Sequence, residues 1–298
     1  MEKIIVTGAN GFIGRNFIKY AVSHGIEVYA VDINHEQSTL KELKYIHFIE
    51  CDMQQMELLI DLVPHQDYLA FYHFAWSGVA SSNLYRKSYE AQINNIKYSC
   101  DAALVSKKLN CKKFITTGSI VEKATKNILN SMNITESYYY GIAKNCYHEY
   151  LGTICEINKI NYIWVVLPNI YGGDSTTIIS YMLNEFKNNR IPTFGPCQQL
   201  YNFTYIKDIV RGLLFLGEVE TLSGEYLLSN GECRKSYEFL QEASKLFSKE
   251  IQLGVRNDDG LIFQKEWFDN EKLIQLGFKP KYNFIDGIKE MYEEMLKG

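Results

Sequence analysis

Glycines 8, 11 and 14, in the stretch VTGANGFIG, directly follow the apolar run KIIVT and open a helix-length segment. A glycine-rich turn in that position leaves backbone N–H groups free at the positive end of a helix dipole, which makes an anion site. After a strand and before a helix, this spacing is the context in which a dinucleotide pyrophosphate is held. One glycine permits the tight turn, one lets the backbone approach the phosphates, and one lets helix and strand pack closely. Gly8, Asn10, Gly11, Phe12, Ile13 and Gly14 are therefore the candidate loop residues, a structural Gly-rich turn being the plainer alternative.

Asp32 ends the next apolar run, IEVYAVD. A carboxylate there accepts hydrogen bonds from an adenosine ribose and repels a 2'-phosphate, which favours NAD over NADP. Arg15, just inside the first helix, keeps NADP open as the alternative, although a solvated first-turn arginine is its simpler reading. Asp52 and Met53, at the end of the third run HFIECD, are candidates for contact with an adenine ring, against a turn aspartate with no ligand.

The elements that must position these groups alternate along the first 123 residues. Short β-rich runs (KIIVT, IEVYAVD, HFIECD, LAFYHFAW, KKFITTGS) are separated by helix-length segments, a pattern that predicts βαβ units, a parallel sheet and right-handed crossovers. Further strands are expected at YIWVVLPN and EYLLSN, with a helix around Glu136–Lys159 and an irregular Tyr- and Pro-containing segment from Gly172 to Tyr205. The expectation is a doubly wound Rossmann-type α/β sheet, residues 1–170 with 206–230. A smaller C-terminal substrate-binding lobe, 171–205 with 231–298, is built from insertions after the later strands.

At 298 residues, with 46% hydrophobic and 22% charged residues, the chain falls in the ordinary globular range and can bury a sizeable core. A net charge of -4 supplies no cationic footprint for nucleic acid. Arginine is confined to positions 15, 86, 190, 211, 234 and 256, so an anionic ligand must use these, lysines or backbone amides. The seven cysteines include no C-x-x-C pair, so they are read as reduced thiols and no metal is expected. No signal-peptide pattern or run of 18 apolar residues is present, so no membrane partner and a cytoplasmic location are expected.

Beyond the glycine loop, FITTGS followed by YGIAK resembles the extended short-chain dehydrogenase/reductases, in particular their nucleotide-sugar epimerase, dehydratase and reductase branch. The resemblance runs from the first strand to the last helix. It implies a hydroxyl residue at a strand end, Ser119 with Thr117 as the substitute, and a Tyr-x-x-x-Lys pair, Tyr140 and Lys144. Of three consecutive tyrosines only Tyr140 has a lysine four residues on, which stacks the two on one helix face. In the implied chemistry, an ammonium and the nicotinamide charge stabilise the Tyr140 phenolate. Lys144 also holds the nicotinamide ribose, and Ser119 steadies the reacting sugar oxygen. A strand-end hydroxyl that merely caps the next segment is the alternative for Ser119.

The same resemblance places Phe74, Ala75 and Pro168 beside the cofactor, Trp76 at the sugar, and Asn169 at a substrate diphosphate. His73 is implied to be structural or part of the cofactor shelf. In YNFTYIKDIVRG, Asp208 matches the family's acidic position, whereas Tyr201 stands where an arginine is usual, removing one diphosphate contact. Arg256, in GVRNDDG, is implied as the bidentate diphosphate ligand, against a surface ion pair with Asp258 or Asp259. Tyr171 and Arg234 are weaker candidates. The implied partner is a nucleotide-diphosphate sugar, and the implied assembly a homodimer through a helix pair that includes Tyr140's helix.

Asp32 favours a nucleotide-sugar epimerase that removes and returns a hydride through bound NAD; an NADPH-dependent 4-keto-sugar reductase is the main alternative. A 4,6-dehydratase fits less well, because TTGSIVE has Gly118 before Ser119 and places Glu122 too far along for the family's Asp-Glu pair. A dinucleotide-binding regulator without catalysis is the alternative from another class.

Overall fold

The computed structural model describes residues 1–34, 36, 38–79, 83–126, 134–136, 138–221, 223–257 and 261–297. The first half runs β1 (Lys3–Thr7), α1 (Phe12–Ser23), β2 (Glu27–Asp32), β3 (Ile46–Glu50), α2 (Leu59–Leu62), β4 (Ala70–His73), α3 (Tyr89–Lys108), β5 (Phe114–Ser119), α4 (Ile120–Thr125), α5 (Tyr138–Asn158) and β6 (Tyr162–Leu167). The second half runs β7 (Asn169–Tyr171), α6 (Ile178–Lys187), β8 (Leu200–Tyr201), β9 (Phe203–Tyr205), α7 (Ile206–Glu218), β10 (Gly224–Leu227), β11 (Arg234–Lys235), α8 (Ser236–Phe247), α9 (Glu271–Gln275) and α10 (Phe284–Lys297). The chain divides into two compact units, Met1–Val166 with Val210–Tyr226, and Leu167–Ile209 with Leu227–Gly298.

The first unit carries the seven-stranded sheet, ordered β10-β6-β5-β4-β1-β2-β3. The pairs β1–β2, β1–β4, β2–β3 and β4–β5 are all parallel. Burial explains why the central strands read as continuous apolar runs: in β4 every residue is buried, and in β1, β5 and β6 only one end residue is not. At the edge, β3 is only partly covered and alternates in composition. The strand order reverses between β1 and β4, and in a doubly wound sheet that switch point opens the crevice where ligands bind.

Two short sheets lie in the second unit. β7 pairs with β9 in parallel, with Asn169 opposite Phe203, and β8 pairs with β11 in antiparallel, with Tyr201 opposite Arg234. The segment from Gly172 to Tyr205, expected to be irregular, contains the ten-residue helix α6. Its signals are local: Thr177 caps it by accepting the Ser180 N–H, and Ile179, Met182, Leu183 and Phe186 form its buried stripe. Asp208 accepts the backbone N–H groups of Lys281 and Tyr282, so in this unit it ties the start of α7 to the chain ahead of α10. Among the described residues no helix is long and apolar enough to cross a membrane.

Candidate active site

The loop between β1 and α1 has the geometry of an anion cradle. Gly8 adopts a φ of +69°, and a Cβ there would meet the Ala75 backbone nitrogen at 2.7 Å; a Cβ on Gly14 would collide with the Gly8 carbonyl. Gly11 stands at the N-cap of α1 with no side chain capping it, and the first turn contains no acid, so its N–H groups and dipole face the loop without a competing carboxylate. The Asn10 backbone N–H donates to Asp32 Oδ2 and the Ile33 N–H to Oδ1, both at 2.8 Å, which locks the half-buried Asp32 carboxylate beside the loop. The buried Asn10 Oδ1 has no hydrogen-bond partner within the protein, an acceptor left for a bound group. These observations fit a dinucleotide.

Arg15 donates from Nη1 to the Asn10 carbonyl at 3.0 Å and lies over the Phe12 ring, so it is held against this same loop. Asp52 is exposed and accepts the Gln54 N–H at 2.9 Å, capping the turn that begins at the half-buried Met53. The Phe74 N–H donates to the Thr7 carbonyl, and its ring packs edge-on against Phe17. Phe74 and Ala75 thus form the wall against which Gly8 is pressed. His73 is fully buried, 2.8 Å from Thr7 Oγ1 and 2.9 Å from Ser99 Oγ, and burial pushes it down to about 3, so it is a neutral structural bridge.

Ser119, Tyr140 and Lys144 meet at the C-terminal end of β5. On α5 the buried residues Tyr140, Lys144, Tyr147, Leu151 and Cys155 recur at helical spacing and define the inward face. Tyr138 is also buried, while Tyr139 points outward. Burial raises the Tyr140 phenol above its ordinary value, while the positive charge of Arg86 and the hydrogen bond with Ser119 pull the other way. Lys144 Nζ donates to the Thr117 carbonyl at 3.0 Å and lies 3.6 Å from the centroid of the Trp76 ring. Burial brings this lysine down to about 7, with Glu122 opposing the change. Trp76 donates from Nε1 to Gln92 Oε1 at 3.0 Å and stands edge-on to Tyr140, so it forms a wall of the lysine's chamber.

Behind Ser119 lies Glu122, which the sequence offers only as a residue too far along for a dehydratase acid. Its Oε2 accepts the Ser119 N–H at 3.1 Å and its Oε1 accepts the Trp164 indole N–H at 3.0 Å. Ser119 in turn caps α4 through its side chain, the capping role the sequence left as its alternative. Burial lifts Glu122 to about 7. Among the described residues, Glu122, His148 and Glu225 form the one grouping with metal-ligand potential, their ligand atoms lying within 4.8 Å of one another. Two N–H donors already occupy Glu122, and the Lys123 ammonium sits 2.7 Å from Glu225, so both carboxylates already have protein partners.

Arg86 belongs to none of the sequence motifs. Its guanidinium carbon is 3.9 Å from the centroid of the Tyr140 ring. Gln92 and Asn95 were also not anticipated, because nothing in the sequence of α3 announces that its buried face would carry amides.

In the second unit Pro168 is buried between β6 and β7, and Asn169 is half-buried with its N–H on the Asn202 carbonyl at 3.2 Å. Tyr201 packs against Phe203 and Phe263. Arg234 lies across the β8–β11 pair from it, yet its guanidinium engages Glu232 and Glu242 at 3.1 and 2.7 Å, which leaves it a packing and ion-pair role. Tyr171 is wholly buried and donates to the Phe284 carbonyl, a core residue of this unit. The exposed Arg256 donates to Thr193 Oγ1 at 3.0 Å and to the Tyr181 hydroxyl at 2.9 Å, both neutral partners; Asp258 and Asp259 lie outside the described residues.

The sequence profile of the NAD dependent epimerase/dehydratase family matches residues 4–226. The chain is 24% identical to an ADP-L-glycero-D-manno-heptose-6-epimerase of Brachyspira hyodysenteriae, with 99% of this chain and 98% of that protein covered. It is 20% identical to a dTDP-4-dehydro-6-deoxyglucose reductase of Escherichia coli, covering 98% and 97%. Its fold superposes on a UDP-N-acetylglucosamine 4-epimerase of Methanobrevibacter ruminantium with a TM-score of 0.81, at 18% identity and with 99% and 98% covered.

Proposed function

The chain belongs to the NAD-dependent epimerase/dehydratase family, and from that premise we propose that it epimerises a nucleotide-linked sugar, removing a hydride and returning it to the other face of the keto-sugar. The observation that carries this reading is the meeting of Ser119, Tyr140 and Lys144 at the end of β5 in the unit whose glycine loop is locked to Asp32.

Gly8, Asn10, Gly11, Phe12, Ile13 and Gly14 would hold the pyrophosphate of NAD, Asp32 its adenosine ribose, Asp52 and Met53 the adenine side, Phe74, Ala75 and Pro168 the ring side, and Lys144 the nicotinamide ribose. NAD, when bound, supplies the acceptor and donor of hydride. Tyr140 takes the proton of the sugar hydroxyl as that carbon is oxidised and gives it back when the carbonyl is reduced, so the residue ends the cycle as it began. Ser119 hydrogen-bonds the same oxygen and carries part of the charge that develops on it. Asn169 and Arg256 would bind the nucleotide diphosphate, and Tyr201 and Trp76 other parts of the substrate. Arg256 suits that role because its present partners are neutral hydroxyls.

Asp32 supports a recycled NAD over an exchanged NADPH. Against dehydration stands Gly118: a Cβ there would lie 2.6 Å from Trp164 Cε2, so the position before Ser119 has no room for an acid. Arg15 favours the second reading, an NADPH-dependent 4-keto-sugar reductase, since it sits on the loop beside Asn10. A homodimer is supported by the exposed apolar residues Ile93 on α3 and Tyr150 and Ile157 on α5.

The test is incubation of NAD-loaded protein with UDP-, dTDP-, ADP- and CDP-linked hexoses, followed by NMR of the sugar. A stereoisomer formed without net NADH supports the epimerase. Net oxidation of NADPH by a 4-keto-sugar, with no epimer from any hexose, rejects it.

A further inference from the structure

Trp76, Ser77 and Tyr85 are bound to α3 by buried amides. Gln92 accepts the Trp76 indole N–H and donates to the carbonyls of Ser77 and Tyr85 at 3.2 and 2.9 Å. Asn95 donates to the Ser77 carbonyl at 2.8 Å and accepts the Ser77 N–H at 3.0 Å. At Gly78, φ is +80°, and a Cβ would meet the Arg86 backbone nitrogen at 2.5 Å, so the two limbs of the loop are in contact. The Asn83 side chain caps the single turn Leu84–Lys87. Arg86 leaves this turn, donates to the Val79 carbonyl, and lays its guanidinium on Tyr140. Arg86 is thus tied to backbone at Val79 as well as to the Tyr140 ring.

The lysine is placed differently. Lys144 Nζ is 6.0 Å from the Tyr140 centroid, and it is engaged by the Thr117 carbonyl and the Trp76 face. Of the two cations, the arginine is the nearer to the phenol.

Resting on the reading of Tyr140 as the acid–base group, we propose that Arg86 is a positioning residue for proton transfer: its permanent charge, laid on the Tyr140 ring, holds the phenolate form that accepts the sugar proton. A phenolate spreads part of its charge into the ring, so a guanidinium on the face adds to its stabilisation. Arginine stays charged across the working range, whereas a buried lysine gives up its proton readily. Among the described residues, the other groups that face Tyr140 are Ser119 from β5, which also favours the phenolate, Glu122 from α4, which opposes it, and Lys144 on its own helix. Arg86 therefore does the work that would otherwise fall to Lys144 alone, and Lys144 is left to hold the ribose and the Thr117 carbonyl.

The test places a fluorotyrosine at position 140, which lowers the intrinsic phenol pKa into the range where the protein is folded, and follows its titration by 19F NMR in NAD-loaded protein. Arg86→Gln should raise the midpoint by about one to three pH units. Arg86→Lys, which keeps the charge, should raise it by less, and Lys87→Gln, one residue along the same turn, should leave it in place. An unchanged midpoint in folded Arg86→Gln overturns the proposal, as does a shift in Arg86→Lys equal to that in Arg86→Gln. The readout needs no substrate. A shifted midpoint together with full epimerase turnover by Tyr140→Phe would uphold the Arg86 contact and reject the reaction proposed above.

Discussion

The Glu122 carboxylate accepts the Ser119 backbone N–H at 3.1 Å from a fully buried position, so a buried acid holds the backbone of the residue proposed to meet the reacting sugar. Glu122 is held to about 7 by burial, above its ordinary value of 4.5. A folded-state pKa raised in this way means that between these two values the native state keeps a proton the unfolded chain has lost. Stability then falls as pH rises from about 4.5 to about 7 and is level above that window. The difference in unfolding free energy between wild type and Glu122→Gln, measured by urea denaturation at several pH values, should change across this window by up to about 3 kcal/mol. A difference that is flat with pH would mean that Glu122 is not buried as described.

Tyr140→Phe should cut turnover on the true substrate by about 10²–10⁴-fold while leaving NAD affinity within a few-fold of wild type, as fits loss of a proton-transfer group. Calorimetric NAD binding beside a turnover assay checks this. Loss of NAD binding would make Tyr140 a structural residue of the cofactor site.

Asp32→Ser should weaken NAD by at least about tenfold and narrow the gap to NADPH, since it removes both the ribose acceptor and the charge that repels a 2'-phosphate. Part of the loss should come from the released Asn10 and Ile33 N–H groups, which Asp32 holds at 2.8 Å. Titration of both nucleotides into wild type and variant measures the two effects separately.

Gly118→Ala should destabilise the protein by about 1–3 kcal/mol, because the new methyl must displace the Trp164 indole that donates to Glu122. Thermal unfolding checks this, and a neutral substitution would place the indole elsewhere. Ile157→Glu, on the exposed face of α5, should convert the proposed dimer to monomer in light scattering without loss of helix content.

Much of the first unit could be read from the sequence because its signals are local. Strands buried on both faces leave unbroken apolar runs, and the glycine loop needs residues that only glycine can be, as Gly8 and Gly14 illustrate. Ser119 and the Tyr140–Lys144 pair are picked out by resemblance to a known family, and strand position and helical spacing account for the strand end and the helix face on which they lie. Arg86 could not be read in this way. Its contact with Tyr140 joins residues 54 positions apart, through a loop whose shape depends on Gln92 and Asn95. Glu122 was legible as a residue three places beyond Ser119, but its inward turn depends on the Trp164 indole of β6. Helix α6 was hidden by the tyrosines and prolines on either side, although Thr177 and Ser180 carry its cap.

The most direct measurement is of the nucleotide that the protein retains. Freshly purified protein would be denatured and the released nucleotide identified by chromatography and mass spectrometry, and an emptied sample then titrated with NAD and with NADPH. Near-stoichiometric NAD, with NAD the tighter ligand on re-addition, is the result expected of an epimerase that recycles its cofactor through Asp32. Protein that comes away empty and prefers NADPH would contradict the account and make the 4-keto-sugar reductase the function to pursue.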